Sequence, residues 1–176
     1  MRFTTKDLVT TAVMTAILCI LGPVSIPIGP VPVSLTTFVI FLGLYILGCK
    51  RCTVSVLVYI LLGASGLPVF SGFQGGVSKI TGPTGGYILG FIPMVLAAGL
   101  IIDKIRSRPA LCPVVTIISS WIVYIPGSLW LSYSTGIPFG AAMLAGVVPF
   151  IVFDIIISSF RKICKHCLQY MSFILI

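Results

Sequence analysis

The chain has 176 residues, 58% of them apolar and only 8% charged, with a mean hydropathy of +1.21. A soluble domain carries about a quarter charged residues, so this composition excludes one and implies a single integral membrane domain over residues 1–176. The net charge of +8 would suit a nucleic-acid binder, but no aromatic-rich basic module accompanies it.

The N-terminal run "MRFTTKDLVTTAVMTAILCILGPVS" has the basic start and apolar body of a secretory leader, but no small-x-small cleavage site precedes Gly22. It is therefore expected to stay as a first helix, Asp7 to Leu21. The four prolines of "GPVSIPIGPVPVS" forbid helix there. A second helix follows from Leu35 to Gly48, stopping at "CKRC", and a third from Thr53 to Ala64. A glycine-rich loop, Gly66 to Gly85, leads to a fourth helix, Gly86 to Ile102, which ends at "DKIRSRP". The fifth runs from Leu111 to Leu131, where "SYSTGIP" breaks it. Proline fits best in a first helical turn, so the sixth helix starts near Pro149, and Phe139 to Val148 forms a short helical or re-entrant piece. Several of these segments fall short of the roughly 20 residues that cross a bilayer, which suits helices buried in protein rather than bare to lipid.

The basic residues sort by loop. Six spans put Arg2, Lys6, Lys50, Arg51, Lys104, Arg106, Arg108, Arg161, Lys162 and Lys165 on one side and Lys79 alone on the other. The positive-inside rule then places both termini in the cytoplasm, and the excess charge meets anionic lipid rather than nucleic acid. The fold expected is an all-α integral membrane bundle of six transmembrane helices with cytoplasmic N- and C-termini and long external loops. Those loops, Gly22 to Ser34, Gly66 to Gly85 and Ser132 to Val148, are longer than compact domains usually keep as plain connectors. They read as a lid over a cavity that opens outward.

"TGPTGGYILGF" packs four glycines into eleven residues. Thr84 is placed as an N-cap, with Gly85 and Gly86 opening the helix. Uncovered amides there, with the helix dipole, form a site for an anion or a carbonyl. Gly82, Gly86 and Gly90 also recur every four residues, which allows close helix packing; the two roles are compatible. Asp154 is the one acid inside a span. Such an acid costs about 2.5–3.5 kcal/mol on insertion scales, so it is expected to face the interior and accept hydrogen bonds from a ligand, or to pair with Lys79 or a polar network. Asp7 and Asp103 lie beside cations at cytoplasmic helix ends, where surface ion pairing suffices. "AVMTA", with Ala12 and Ala16 and extended by Thr11 and Thr15, is a small-xxx-small face for close approach of another helix, inside the bundle or outside it.

Cys49/Cys52 and Cys164/Cys167 have zinc-pair spacing, but they flank membrane ends in a reducing compartment, and no metal or other cofactor is expected. There is no Walker A loop, so the chain alone does not hydrolyse ATP. The only histidine, His166, is in the tail, and the spans hold no acid pair for general acid–base work. An enzyme is not expected.

In order, "GPVPVSLTTFVIFLGLYILG", "VLVYILLGASGLPVFSGFQGG", "TGPTGGYILGF" and "GVVPFIVFD" resemble the biotin-specific substrate-binding components of energy-coupling-factor (ECF) vitamin transporters, the BioY family. The likeness covers about Thr5 to Ser158. It implies a six-helix bundle that binds biotin near the outer face and works with a membrane coupling subunit and two cytoplasmic ATPase subunits. Ala12 and Ala16 look like that family's docking motif. Asp154 matches the family's aspartate on the biotin head, whose ureido ring offers two N–H donors to an acceptor. Family members commonly have Pro-Gly before that aspartate and Lys three residues after it; here the positions read Val152, Phe153 and Ile157. With that lysine gone, Lys79 and the Thr84, Gly85 and Gly86 region are the substitutes for holding the biotin carboxylate. Thr36 stands where a glutamine is common, and Gln74 is the amide offered instead. Phe70, Phe73, Tyr87 and Tyr59 are expected to cover the rings and alkyl chain. Two alternatives stay open: a stand-alone biotin facilitator, and a membrane assembly protein that transports nothing.

Overall fold

A computed structural model describes residues 4–27, 31–105, 111–147 and 150, with only the backbone at 112 and 113. Asp154, the expected sixth helix beyond Phe150, Ile157 and the Cys164/Cys167 pair lie outside the described residues.

Helix α1 spans Thr5–Leu21. Asp7, at its third position, accepts a hydrogen bond from the Thr4 backbone N–H at 3.0 Å, half of a capping box. The chain then turns through a hairpin of two-residue strands, β1 (Ser25–Ile26) and β2 (Val33–Ser34), paired antiparallel with Ser25 opposite Ser34. This hairpin and an isolated antiparallel bridge between Phe70 and Gln74 are the departures from an all-helical fold among the described residues. Helix α2, Thr36–Leu47, and helix α3, Cys49–Ala64, meet at Gly48, whose φ of 79° lets the chain reverse in a single residue. The third helix therefore starts four residues earlier than the sequence suggests. Lys50 and Arg51 read as a loop, yet the Cys49 N–H that opens the helix is held by Asp103 Oδ2 at 3.2 Å.

The loop after α3 contains a helical turn the sequence did not reveal, α4 (Val77–Thr81). Helix α5 spans Gly85–Lys104. Helix α6 spans Cys112–Thr135, four residues past the expected end. It runs through Pro126 and stops at Gly136, whose left-handed conformation caps it. Residues 139–147 are helical, one of the two forms, helical or re-entrant, expected for Phe139 to Val148.

Helices α5 and α6 are the two among the described residues that are long and apolar enough to cross a membrane. Helix α5 is central: it packs on α6, α3 and α2, while α1 packs on α3 and α2. Glycines set the close approaches. A methyl at Gly86 would meet Trp130 Cγ at 2.9 Å, and one at Gly99 would meet Cys49 Cβ at 2.8 Å. The α1–α3 contact is a hydroxyl clasp in which Ser55 Oγ donates to Thr11 O at 3.0 Å and Thr15 Oγ1 donates to Ser55 O at 3.4 Å. Thr11 and Thr15 thus face inward and do not extend the Ala12–Ala16 face. Ala12 and Ala16 lie on the exposed side of α1, beside Val9, Val13 and Ile20.

Candidate functional site

Toward the end of the bundle where β1, β2 and α4 lie, the helices diverge around a cavity of about 550 Å³, its open mouth included. Helix α5 supplies one wall from Thr84, Tyr87, Ile88, Phe91 and Met94, spaced at three and four residues so that they share a face. Helix α6 faces it with Ser120, Val123 and Tyr124, and Phe150 closes the side. Helix α2 contributes Thr36 and Thr37, α3 contributes Tyr59, β2 contributes Ser34, and the loops bring Val31, Pro32, Phe70 and Ser71. Apolar surface dominates, dotted with hydroxyls and holding no charged side chain among the described residues.

The wall is fixed from behind. Tyr59 is buried and donates its hydroxyl to Val69 O at 3.0 Å. Its ring meets Phe70 edge-on, with centroids 5.7 Å apart. Phe70 lies over Gly63, where any larger side chain would overlap its ring. Ser34 Oγ donates to Thr36 Oγ1 at 3.0 Å. Tyr87 shares a hydrogen bond with Ser128 Oγ at 3.2 Å and stacks on Phe150, the planes 13° apart.

Thr84 differs from these. It is the N-cap of α5, but its side chain makes no capping bond, and Oγ1 is buried without a hydrogen-bond partner. Buried hydroxyls are normally satisfied. This one borders the cavity and also a second, wider depression lined by Pro32, Gln74, Gly75, Ser78, Lys79, Gly82, Pro83 and Thr84. In that depression Lys79 Nζ donates to Gln74 Oε1 at 2.7 Å. Partial burial pushes the Lys79 ammonium below its usual value.

The expected site residues therefore divide. Tyr59, Phe70, Thr84 and Tyr87 share the inner cavity, while Gln74 and Lys79 line the outer depression, which Thr84 and Pro32 join to it. Phe73 lines neither; it projects from the loop at 68% exposure with φ of 56°. Gly85 and Gly86 line neither as well. The Gly85 N–H donates to Gly82 O at 3.0 Å, and Gly86 packs on Trp130. Sequence reasoning missed Thr37, Met94, Ser120, Tyr124 and Phe150. The available signal was helical spacing of hydroxyl and aromatic side chains within apolar runs, as in Thr116, Ser120 and Tyr124.

The family model for the BioY family matches residues 1–166. The chain belongs to the BioY family. It is 39% identical over 151 residues to the biotin transporter BioY of Thermotoga maritima, covering 86% of this chain and 88% of that one. It is 36% identical over 143 residues to the biotin transporter BioY2 of Lactococcus lactis, covering 80% and 78%. Among solved structures it resembles the S-component for biotin from an ECF-type ABC transporter, with a TM-score of 0.85, 28% identity and coverage of 97% and 95%. Membership of this transporter family, together with the two apolar helices of membrane length, makes the chain an integral membrane protein.

Proposed function

We propose that the chain captures biotin at the outer face of the cytoplasmic membrane and carries it inward as the substrate-binding component of an ECF-type transporter. What carries this is the division of the site: a mostly apolar cavity, without a charged side chain among the described residues, joined at Thr84 to a depression holding a lysine. Biotin has the same division, a neutral bicyclic head and an anionic carboxylate on an alkyl chain. The head and chain lie in the inner cavity against Tyr59, Phe70 and Tyr87. The carboxylate lies toward Lys79 and the Thr84 hydroxyl, and Gln74 orients the lysine rather than the head. Asp154 accepts from the ureido N–H groups, as the family likeness implies. Phe73, from its exposed position, covers the site only if its loop closes.

In this proposal the single domain spans the membrane six times with both termini in the cytoplasm. Helices α1, α2, α3, α5 and α6 supply five of the spans. A membrane coupling subunit docks on Ala12 and Ala16, and two ATPase subunits supply the energy from the cytoplasmic side. The exposure of that alanine face favours a partnered transporter over a stand-alone facilitator. Calorimetry on the purified chain tests the binding step, and absence of heat with biotin overturns it. Biotin uptake by the chain alone in liposomes would overturn the need for partners.

A further inference from the structure

Tyr87 forms a cavity wall and is 5% exposed. Two glycines from elsewhere in the fold press on it from different directions. A methyl at Gly127, inside α6, would come 2.5 Å from Cδ1 and 2.6 Å from Cε1 of the Tyr87 ring. A methyl at Gly146, in the helical stretch 139–147, would overlap the Tyr87 hydroxyl oxygen and lie 3.1 Å from Cζ and 3.6 Å from Ser128 Oγ. Both glycines are buried, and neither has a positive φ. Alanine could therefore adopt either backbone and would favour helix more than glycine does. What excludes it is Tyr87. The ring held this way stacks on Phe150, centroids 6.2 Å apart, and Phe150 meets Tyr124 at 5.8 Å. All three rings line the cavity.

We infer that Gly127 and Gly146 are positioning residues for ligand binding, which together hold Tyr87 in the one pose that makes an aromatic wall for the ring portion of the ligand. Gly127 fixes the face of the ring, and Gly146, with Ser128, fixes its hydroxyl end. Neither touches the ligand. A side chain at either position drives Tyr87 off its rotamer, with Phe150 and the cavity behind it. The choice of biotin as ligand rests on the function proposed above; the clamp itself does not.

The two contacts differ in chemistry, and that difference supplies the test. The Gly146 overlap is with the hydroxyl oxygen, so Tyr87→Phe removes it. The Gly127 overlap is with ring carbons, which phenylalanine keeps. Biotin affinity is measured by calorimetry on the purified full chain for wild type, G127A, G146A, Y87F and the two double variants, with ligand-free melting of each. Overpacking of this kind is expected to weaken binding about tenfold in G146A and in G127A. Adding Y87F to G146A restores affinity to that of Y87F alone; adding it to G127A does not. A structural role alone would show this selectivity in melting and leave biotin affinity unchanged. G146A or G127A binding as wild type overturns the inference, and so does equal rescue, or none, in both backgrounds. If G146A fails to fold, its double variant with Y87F carries the comparison against G127A. If wild type binds no biotin, the function proposed above fails by itself. The clamp is then decided by melting: Y87F must offset the loss in G146A and leave that in G127A.

Discussion

Replacing Thr84 by valine should make the ligand-free protein more stable and the ligand weaker. Valine keeps the shape of threonine and loses the hydroxyl. At an ordinary N-cap that loss costs about 0.5–2 kcal/mol, but Thr84 makes no side-chain capping bond, so nothing of that kind is forfeited. Its Oγ1 is instead buried and unpartnered, a state that costs about 1–3 kcal/mol in desolvation. Removing the hydroxyl recovers part of that cost, and melting without ligand is expected to rise. In the proposed complex with biotin, the same hydroxyl donates to the carboxylate. A hydrogen bond to a charged group is worth about 1.5–3 kcal/mol, so affinity should fall about tenfold to a hundredfold. The assay is a pair of measurements on detergent-purified T84V: thermal melting without ligand, and calorimetric titration with biotin. Opposite signs are the signature. If melting falls and affinity holds, the hydroxyl is a structural cap. If melting rises and affinity holds, it is unsatisfied but is no part of the site. Either result refutes the assignment.

Lys79→Met should weaken biotin binding and remove its dependence on alkaline pH. Burial lowers the Lys79 value in the free protein, and a bound carboxylate raises it again, so affinity is fully present below the free value and is lost as pH rises through the bound one; titration from neutral to alkaline pH in wild type and K79M measures this. Gly63→Ala should weaken binding at least tenfold by displacing the Phe70 ring it would overlap, which calorimetry would show directly. Ala16→Leu, on the exposed side of α1, should leave biotin affinity within a factor of about two while abolishing uptake in cells that express the whole transporter, since surface substitutions perturb a fold little; separate binding and uptake assays check it.

Most helices were legible because glycine and proline punctuate this sequence so strongly. Helices α1, α2 and α5 begin or end within a residue or two of such breaks. The misplaced ends are those that tertiary contacts decide. Helix α3 begins at Cys49 because Gly48 reverses the chain and Asp103 holds the first N–H; no local pattern announces a partner 54 residues away. Helix α6 continues through Pro126, which lies on an exposed face of a long helix; membrane-spanning helices tolerate an interior proline more readily than soluble ones. In the site, loop aromatics and the glycine-rich turn pointed to Tyr59, Phe70, Thr84 and Tyr87. The mid-helix contributors were hidden, since a serine or methionine within an apolar run looks the same whether it faces lipid, a neighbour or a cavity. Gln74 and Lys79 were legible as polar residues of a lid, but not that they bond each other.

The glycine-rich turn before α5 shows why the site is divided. Gly85 and Gly86 are not open cradles: one donates its N–H back into the turn, and the other lets α6 come close at Trp130. That close approach, and the Trp130 indole donating to Gly82 O at 2.9 Å, fixes the threshold where Thr84 stands. Inside it, a fixed ammonium would be costly, because a buried charge without a partner loses its solvation. The cation is therefore expected where the lysine is found, outside the threshold and partly hydrated, with Gln74 holding it ready. An amphiphilic ligand then needs no charge brought into the bundle from the outside. In the proposed complex the neutral rings displace water from an apolar space while the carboxylate stays at the rim, so a ligand must reach from the inner cavity past Thr84 to Lys79, a length requirement that a uniformly apolar pocket would lack.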